Sequence, residues 1–521
     1  MSIQSLLSLA KQHQTDGHLV KAMFFFTEVL KKKPRQTQAI LGTAEIAKQL
    51  GKHQTAHQLL SQVIRLDPSH AEAFELRGNL LQILGRPKDA VNDFSKAIDL
   101  GRQTGSIFNS RGIAFAHLRR FDQAISDFSD AIYRQSTLAE AFYNRALAHR
   151  KLGNYASAIH DYTTTINLKP DHFQAYNNRG LAHRELRQYS DAIVDFEKST
   201  EINPSFHDGY WNASLCLLAL GNFEKGWKLY EYRWSSTSFT SPRRDFLAPL
   251  WLGNENLSGK TILLHSEQGL GDSLQFCRYV PLVEALECKV ILEIEPQLSR
   301  LLRSISSRIQ IVEKNSLLPH FDFHCPLMSL PLAFGTSAKT IPENGAYLRV
   351  EQDRVKWWRT KLGEKKRPRV GIVWRGNPAH SNDLNRSIPL CDILSELSQD
   401  FDWFCLQKDL SKDEETLIET STNLEHFNGI ITDFADTGAL SKALDAILCV
   451  DTSIAHLGGA LGIPVYLLLP YIADFRWQSE GITSPWYQSL KLYRQGPDRA
   501  WSDPLKKAQQ TMITDFLHII K

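Results

Sequence analysis

An internal period of about 34 residues runs through the first half of the chain and leaves it few choices of fold. Gly78, Gly112, Ala146 and Gly180 are spaced by one period each, as are Ala56, Ala90, Ala124, Ala158 and Ala192. Leu60, Phe94, Phe128, Tyr162 and Phe196 keep the same spacing, each one helical turn beyond its alanine. Pro34, Pro68, Pro170 and Pro204 fall at matching ends, with Arg102 and Ser136 in proline's place in two units. Small residues at two fixed places let a pair of antiparallel helices approach closely, and an aromatic one turn on fills the groove between them. Proline then stops the second helix. A period of this length means stacked repeats, each burying its apolar face against its neighbours. Seven units fit, the first starting near Ile3 and the last near His207, where Gly226, Tyr230 and Arg233 depart from the small and apolar choices. The segment FEKGWKLYEYRW in that last unit is read as a cap against the next domain.

This pattern resembles the tetratricopeptide repeat over residues 3–234. Arg77, Arg111, Arg145 and Arg179 recur with the period, as do Asp93, Asp127, Asp161 and Asp195, and pairing within each repeat is the expected reason. Asn144, Asn178 and Asn212 share the sixth place of the first helix, which in such arrays faces the concave groove. Side-chain amides there can donate to and accept from a peptide backbone without reading its sequence. Polar residues on a solvated face are the plainer alternative. The arrangement is similar to the asparagine ladder of eukaryotic O-linked N-acetylglucosamine transferase, here over three units, and implies an acceptor polypeptide in the groove.

Composition excludes several classes. At 42% hydrophobic and 22% charged the chain is ordinary globular protein, and its net charge of +3, without long Lys and Arg runs, gives no reason to expect nucleic acid. Cys216, Cys277, Cys288, Cys325, Cys391, Cys405 and Cys449 are scattered, form no Cys-x-x-Cys pair and are read as core thiols. The start, MSIQSLLSLAKQHQTDG, lacks a signal-peptide core, and no apolar run approaches membrane-spanning length. A reducing cytoplasm is the expected compartment.

After the array, here residues 1–236, the Ser, Pro and Gly-rich residues 237–259 read as a linker. Strands then alternate with helices, in a first lobe over 260–350 and a second over 351–521. CKVILEIE, RIQIVE and FDFHCPL look like strands of the first, with a helix over 297–305; RPRVGIVWRG, DWFCLQK, AILCVD and IPVYLLLP look like strands of the second. Continuous apolar strands suit parallel sheets covered on both faces, so the expected fold is an α-solenoid followed by an α/β domain of two Rossmann-like lobes facing a cleft.

Two loops stand out. In TILLHSEQGLGDSLQF, a strand over 261–264 stops at Gly269 and Gly271 and a helix follows over 273–282. Asp272 then stands either at a ligand cleft, where loops at strand carboxyl ends lie, or simply as a helix cap. In DTSIAHLGGALGIPV, Thr452 and Ser453 offer hydroxyls and amides at a helix start suited to diphosphate oxygens, with His456 on the first turn. There too capping by Asp451 and Ser453 and packing by His456 is the alternative.

Together GLGD and DTSIAHLGGALGIPV resemble the heptosyltransferase-type family of GT-B glycosyltransferases over residues 260–495. The resemblance implies that Asp272 is the acceptor base, with Glu267 in reserve. It also implies that Asp451, Thr452, Ser453 and His456 bind the donor diphosphate and sugar, with Ser453 in place of the usual glycine. In WRGNPAHSNDLNRSIPL, Arg386 with Pro389 matches the family's basic residue that meets the diphosphate, where Lys has become Arg, and Asn377 lies in the same loop. Gln407 and Lys408 would border the nucleotide base. The segments GWKLYEYRW, CPLMSLP, GNPAH and SPWYQSLKLYRQ further resemble bacterial tetratricopeptide proteins with a fused glycosyltransferase domain, some linked to flagellin glycosylation. The implied co-substrate is a nucleotide sugar, and no resident cofactor is expected. No metal is expected either, since helix amides and a cation can hold the leaving diphosphate and no Asp-x-Asp pair ends a strand. His265 is read as structural. Two other classes compete. One is a non-catalytic repeat scaffold with a degenerate nucleotide-binding domain; the other is a co-chaperone, which would need a basic clamp where this groove carries asparagine.

Overall fold

Glycine against aromatic, repeated once in every period, builds the helical pairs that the spacing predicts. The structure is a computed structural model that describes the chain except for residues 343–344, 379–381, 422, 428 and 521 and the side chains of 517–520. Ala379 and His380 of GNPAH therefore lie outside the described residues. The chain divides into two compact units, Met1–Pro204 and Ser205–Lys521. No helix among the described residues is long and apolar enough to cross a membrane.

All residues of the first unit are described, and they form twelve helices from Ile3–Thr15 to Tyr189–Ile202, packed in consecutive pairs. The pairs pack closely because a Cβ on Gly112 would stand 2.6 Å from the Phe128 ring, and one on Gly180 2.8 Å from Phe196. The recurring arginines are explained within the array. Each grips the aspartate of the second helix of its own repeat through two N–H donors at 2.7–2.8 Å, as Arg145 does with Asp161. The remaining Nη1 donates to Ser61, Ser95, Ser129 or Thr163 of the preceding repeat at 3.0–3.1 Å. Those hydroxyls keep the same period, and they make each fork a tie between repeats as well as within one. The aspartates are buried, and a buried carboxylate is tolerable only when paired and fully hydrogen-bonded.

The seventh helical pair, His207–Ala219 and Phe223–Tyr230, belongs to the second unit, followed by the 3-10 turn Glu231–Ser235. Its departures from the repeat pattern have a packing cause. Trp227 and Tyr230 are buried, with Trp227 edge-on to Phe276, Phe475 and Trp486 of the α/β part.

The second unit carries two parallel sheets. The first holds β1 (Thr261–His265), β2 (Lys289–Ile294), β3 (Gln310–Glu313) and β4 (Phe323–Pro326) in the order β3-β2-β1-β4. In register, Leu263 lies opposite Ile291 on one side and His324 on the other. The second holds β5 (Arg369–Val373), β6 (Asp402–Cys405), β7 (Leu424–Glu425), β8 (Ala446–Val450), β9 (Val465–Leu469) and β10 (Leu490–Arg494). Its order is β10-β9-β8-β5-β6-β7, and every pairing is parallel. Counted from β5, that is the 3-2-1-4-5-6 order of the doubly wound dinucleotide-binding sheet. The expected strands all form. Two-residue β7 and the edge strand β10 go beyond them.

Helix lengths differ from expectation. Instead of one helix over 273–282, the chain forms Leu270–Phe276, the 3-10 turn Cys277–Tyr279 and Val280–Glu284. Pro281 has no N–H to bond into the preceding turn, so the α-helical ladder is interrupted there. The helix expected over 297–305 is Pro296–Leu302. Where the two sheets' helices meet they pack directly: Leu270–Phe276 lies on Ser453–Leu461, and Pro296–Leu302 on Phe434–Ala443. Arg278 is buried in this contact, donating to the Trp486 carbonyl at 2.8 Å and the Tyr347 hydroxyl at 3.2 Å.

Candidate functional site

β1 delivers Ser266 and Glu267 past its carboxyl end, and the chain turns at Gly269 into the helix Leu270–Phe276. Asp272 sits on the first turn of that helix. Its Oδ2 accepts the Gly269 N–H at 2.9 Å, so the carboxylate does cap. Its Oδ1 accepts from Arg476 Nη2 at 2.5 Å, so the same carboxylate also reaches the second sheet's loops. Burial raises its pKa above the usual aspartate range, with the Arg476 guanidinium and the Gly269 N–H acting against that rise.

The two loops marked in the sequence come together at Gly271. A Cβ there would stand 2.8 Å from the His456 ring and 3.5 Å from Ser453 Cα, so only a glycine permits this approach. The histidine is not free to retreat. The His456 Nδ1 is 2.9 Å from the Tyr487 hydroxyl and its ring stacks on Trp477 at 5.1 Å. Burial and the nearby Arg476 hold its pKa well below the usual histidine value, so it stays neutral.

Ligands of open α/β sheets bind outside the strand carboxyl ends, where the strand order reverses. In the second sheet that point lies between β5 and β8, and Arg386 spans it. From the short helix Asp383–Arg386 it donates to the Asp451 backbone carbonyl at 3.0 Å and to Asp383 at 3.1 Å. Thr452 is the N-cap of the nine-residue helix Ser453–Leu461, makes no side-chain cap bond, and has a buried Oγ1 without a partner among the described residues. The site therefore holds helix amides, a hydroxyl and a guanidinium, a set suited to an anion. Burial and Asp474 push the Asp451 carboxyl above its usual range, and Arg386 and Arg476 oppose them. Asn377 is exposed in the loop after β5. After β6, Gln407 accepts from the Arg375 backbone at 3.4 Å and exposed Lys408 donates to the Thr432 carbonyl at 3.1 Å. Gln407 thus borders the loop after β5 rather than β8.

The first sheet's switch point, between β1 and β4, is filled by the protein itself. Arg233 is fully buried there, bonded to Glu231 at 2.6 Å, Glu267 at 2.8 Å and Ser329 at 2.8 Å. The Glu267 side chain is 2% exposed, and its Oε1 is buried without a partner among the described residues. Burial pushes its pKa up to about 7, against the pull of Arg233. Because that value lies above the unfolded one, ionising Glu267 costs stability as pH rises from its ordinary value of 4.5 to about 7. Glu267→Gln should melt close to the parent near pH ~5 and above it near pH ~8. A gap that is the same at both would overturn the assignment.

His265 is buried against His324, 3.2 Å apart, and burial lowers its pKa to about 3, a core position. Five cysteines are buried and Cys288 is half-buried, whereas Cys391 is exposed. The asparagines do not form one set. Asn144 donates to Asn109 at 3.1 Å and Asn178 to the Tyr143 hydroxyl at 2.9 Å, both half-buried in the first unit. Asn212 belongs to the second unit and is only 8% exposed, which removes it from a solvated ladder. Sequence reading missed Arg476, Asp474 and Trp477, which belong to no motif, and assigned no role to Tyr487 within SPWYQSLKLYRQ. Arg233 was visible as a departure from the repeat within GWKLYEYRW, without a role.

Likeness to known proteins is clearest in the helical repeats. Models of the tetratricopeptide repeat match residues 41–103, 77–139, 139–172 and 173–206. Residues 41–206 are tetratricopeptide repeats. Protein FlbA of Caulobacter vibrioides is 24% identical over 326 residues, covering 58% of this chain and 54% of its own length. The chain thus spans about half of that relative, and the match, longer than the whole first unit Met1–Pro204, enters the second. Among solved structures, YrrB, described as a TPR protein with an unusual peptide-binding site, has 20% identity and a TM-score of 0.32, over 34% of this chain and 92% of its own. MamA has 24% identity and a TM-score of 0.31, over 33% and 94%.

Proposed function

We propose that the second unit transfers a glycosyl group from a nucleotide sugar to an acceptor hydroxyl, and that the tetratricopeptide repeats bind the acceptor, a polypeptide of which flagellin is the example the resemblance implies. The observation that carries this reading is the contact of Gly271 with His456 and Ser453, which joins the GLGD and DTSIAH loops at the carboxyl ends of two parallel sheets. Amides at the start of Ser453–Leu461, the Thr452 hydroxyl and Arg386 receive the diphosphate and stabilise it as it leaves. Asp272 takes the proton of the acceptor hydroxyl as its oxygen bonds to the sugar's anomeric carbon. Neutral His456, held by Tyr487 and Trp477, presents its ring edge at the meeting of the loops.

A ligand that binds only the folded state at about 100 times its Kd adds about 2.7 kcal/mol of stability. One class of nucleotide sugar should therefore raise the melting temperature, and Arg386→Ala should weaken its affinity at least about tenfold by removing a charge-assisted contact. No shift with any nucleotide would sink this reading in favour of a scaffold with a degenerate site. An unchanged dissociation constant in the Arg386 variant would remove that residue from the site.

A further inference from the structure

Arg476 is bound up with the site although no motif marks it. It lies on the 3-10 turn Phe475–Trp477, in the loop after β9, and its side chain is 8% exposed. Nη2 donates to Asp272 at 2.5 Å and Nη1 to Asp474 at 2.7 Å, while the buried Nε has no partner among the described residues. Since β9 lies beside β8 in the sheet, this loop stands next to the one that opens the helix Ser453–Leu461. The charge is close enough to act on both Asp451 and His456.

Two facts conflict if this arrangement persists through a reaction. Although burial raises the pKa of Asp272, the Arg476 guanidinium and the Gly269 N–H hold both of its oxygens and oppose its taking a proton. A guanidinium committed to two carboxylates is equally withheld from an anion at the neighbouring loop after β8. Both are resolved by one movement. We propose that Arg476 is a ligand for the donor diphosphate, and that its transfer from Asp272 to the diphosphate releases the carboxylate, so that the donor binds before Asp272 can act. Phosphate oxygens accept the planar fork as well as a carboxylate does. Asp272 keeps its Gly269 N–H bond when Arg476 leaves, so the helix start is undisturbed.

This rests on the transferase reading for the identity of the anion, but its test does not need turnover. Inorganic pyrophosphate is titrated calorimetrically into the full chain and its variants. Asp272→Asn removes the competitor for Arg476 and should bind pyrophosphate about tenfold tighter than the parent, within the usual range of coupling between sites. Arg476→Ala should bind it at least about tenfold more weakly, and adding Asp272→Asn to that variant should then change nothing. If Arg476→Ala does not fold, Arg476→Lys serves, since an ammonium cannot reproduce the two-donor geometry and must also weaken binding. Unchanged or weaker binding by Asp272→Asn overturns the proposal, as does no binding to the parent. Coupled pyrophosphate binding in a chain that transfers no sugar would leave it standing while the transferase reading falls. Sugar transfer without this coupling would do the reverse.

Discussion

Asp272→Asn is expected to lower glycosyl transfer about a thousandfold while nucleotide binding persists, because a positioned general base contributes about 10²–10⁴ to rate. The substitution is conservative where it needs to be. An amide oxygen can still accept the Gly269 N–H that Oδ2 accepts at 2.9 Å, so the first turn of Leu270–Phe276 keeps its cap. What is lost is proton affinity and the ion pair with Arg476, which still has Asp474 at 2.7 Å. Turnover is to be measured beside circular dichroism and a nucleotide titration, so that a folding defect is seen as one. Turnover within a few-fold of the parent would remove Asp272 from the base role. The comparison with Glu267→Gln then decides between the two carboxylates. Glu267 has one oxygen without a partner among the described residues, and burial pushes its pKa up to about 7, a suitable value for a base, whereas Asp272 has both oxygens engaged in this state. If the Glu267 variant loses transfer and the Asp272 variant does not, the assignment moves there.

Legibility in the sequence followed physical periodicity. The repeat, the Arg–Asp forks and the strands of both sheets were readable because each depends on local spacing, such as the constant step from Gly78 to Gly112 or the one from Arg145 to Asp161. Asp272 and Asp451–Ser453 were readable because strand, tight turn and helix occur in succession. Arg476 and Tyr487 were not, because their roles depend on which loops the sheet order sets side by side. Nothing in YIADFRWQSE or SPWYQSL reports that β9 borders β8. The ladder reading failed at Asn212 for a related reason: the repeat register places it correctly, but its helix packs into the second unit, where the side chain is buried. The closed contact at Gly271 was also invisible. A Gly-x-Gly spells a turn whether the space beside it is empty or filled by a histidine ring.

Arg233→Met should destabilise the second unit by about 3–5 kcal/mol, the usual result of removing one partner from a buried charge set. The guanidinium is completely buried at the carboxyl ends of β1 and β4 and is held by Glu231, Glu267 and Ser329 within 2.8 Å. Without it two carboxylates face each other across the Ser329 hydroxyl, which already donates to Glu231 at 2.8 Å. Methionine fills much of the volume, so the loss is chiefly electrostatic, and it should grow as pH rises through about 7, where Glu267 ionises. At roughly 1.5 °C per kcal/mol for a unit as long as Ser205–Lys521, the melting transition should fall by about 5–7 °C near neutral pH and by less under acid. Adding Glu267→Gln to Arg233→Met should restore part of that loss, because the double variant no longer buries an unpaired charge at that position. A single variant that melts with the parent at every pH would mean that the crevice of the first sheet is not sealed by Arg233, and the same position would then be open to an acceptor. Full loss of stability without rescue by Glu267→Gln would place the cost instead in the rings that Arg233 faces, Tyr230 at 4.8 Å and Trp234 at 4.6 Å.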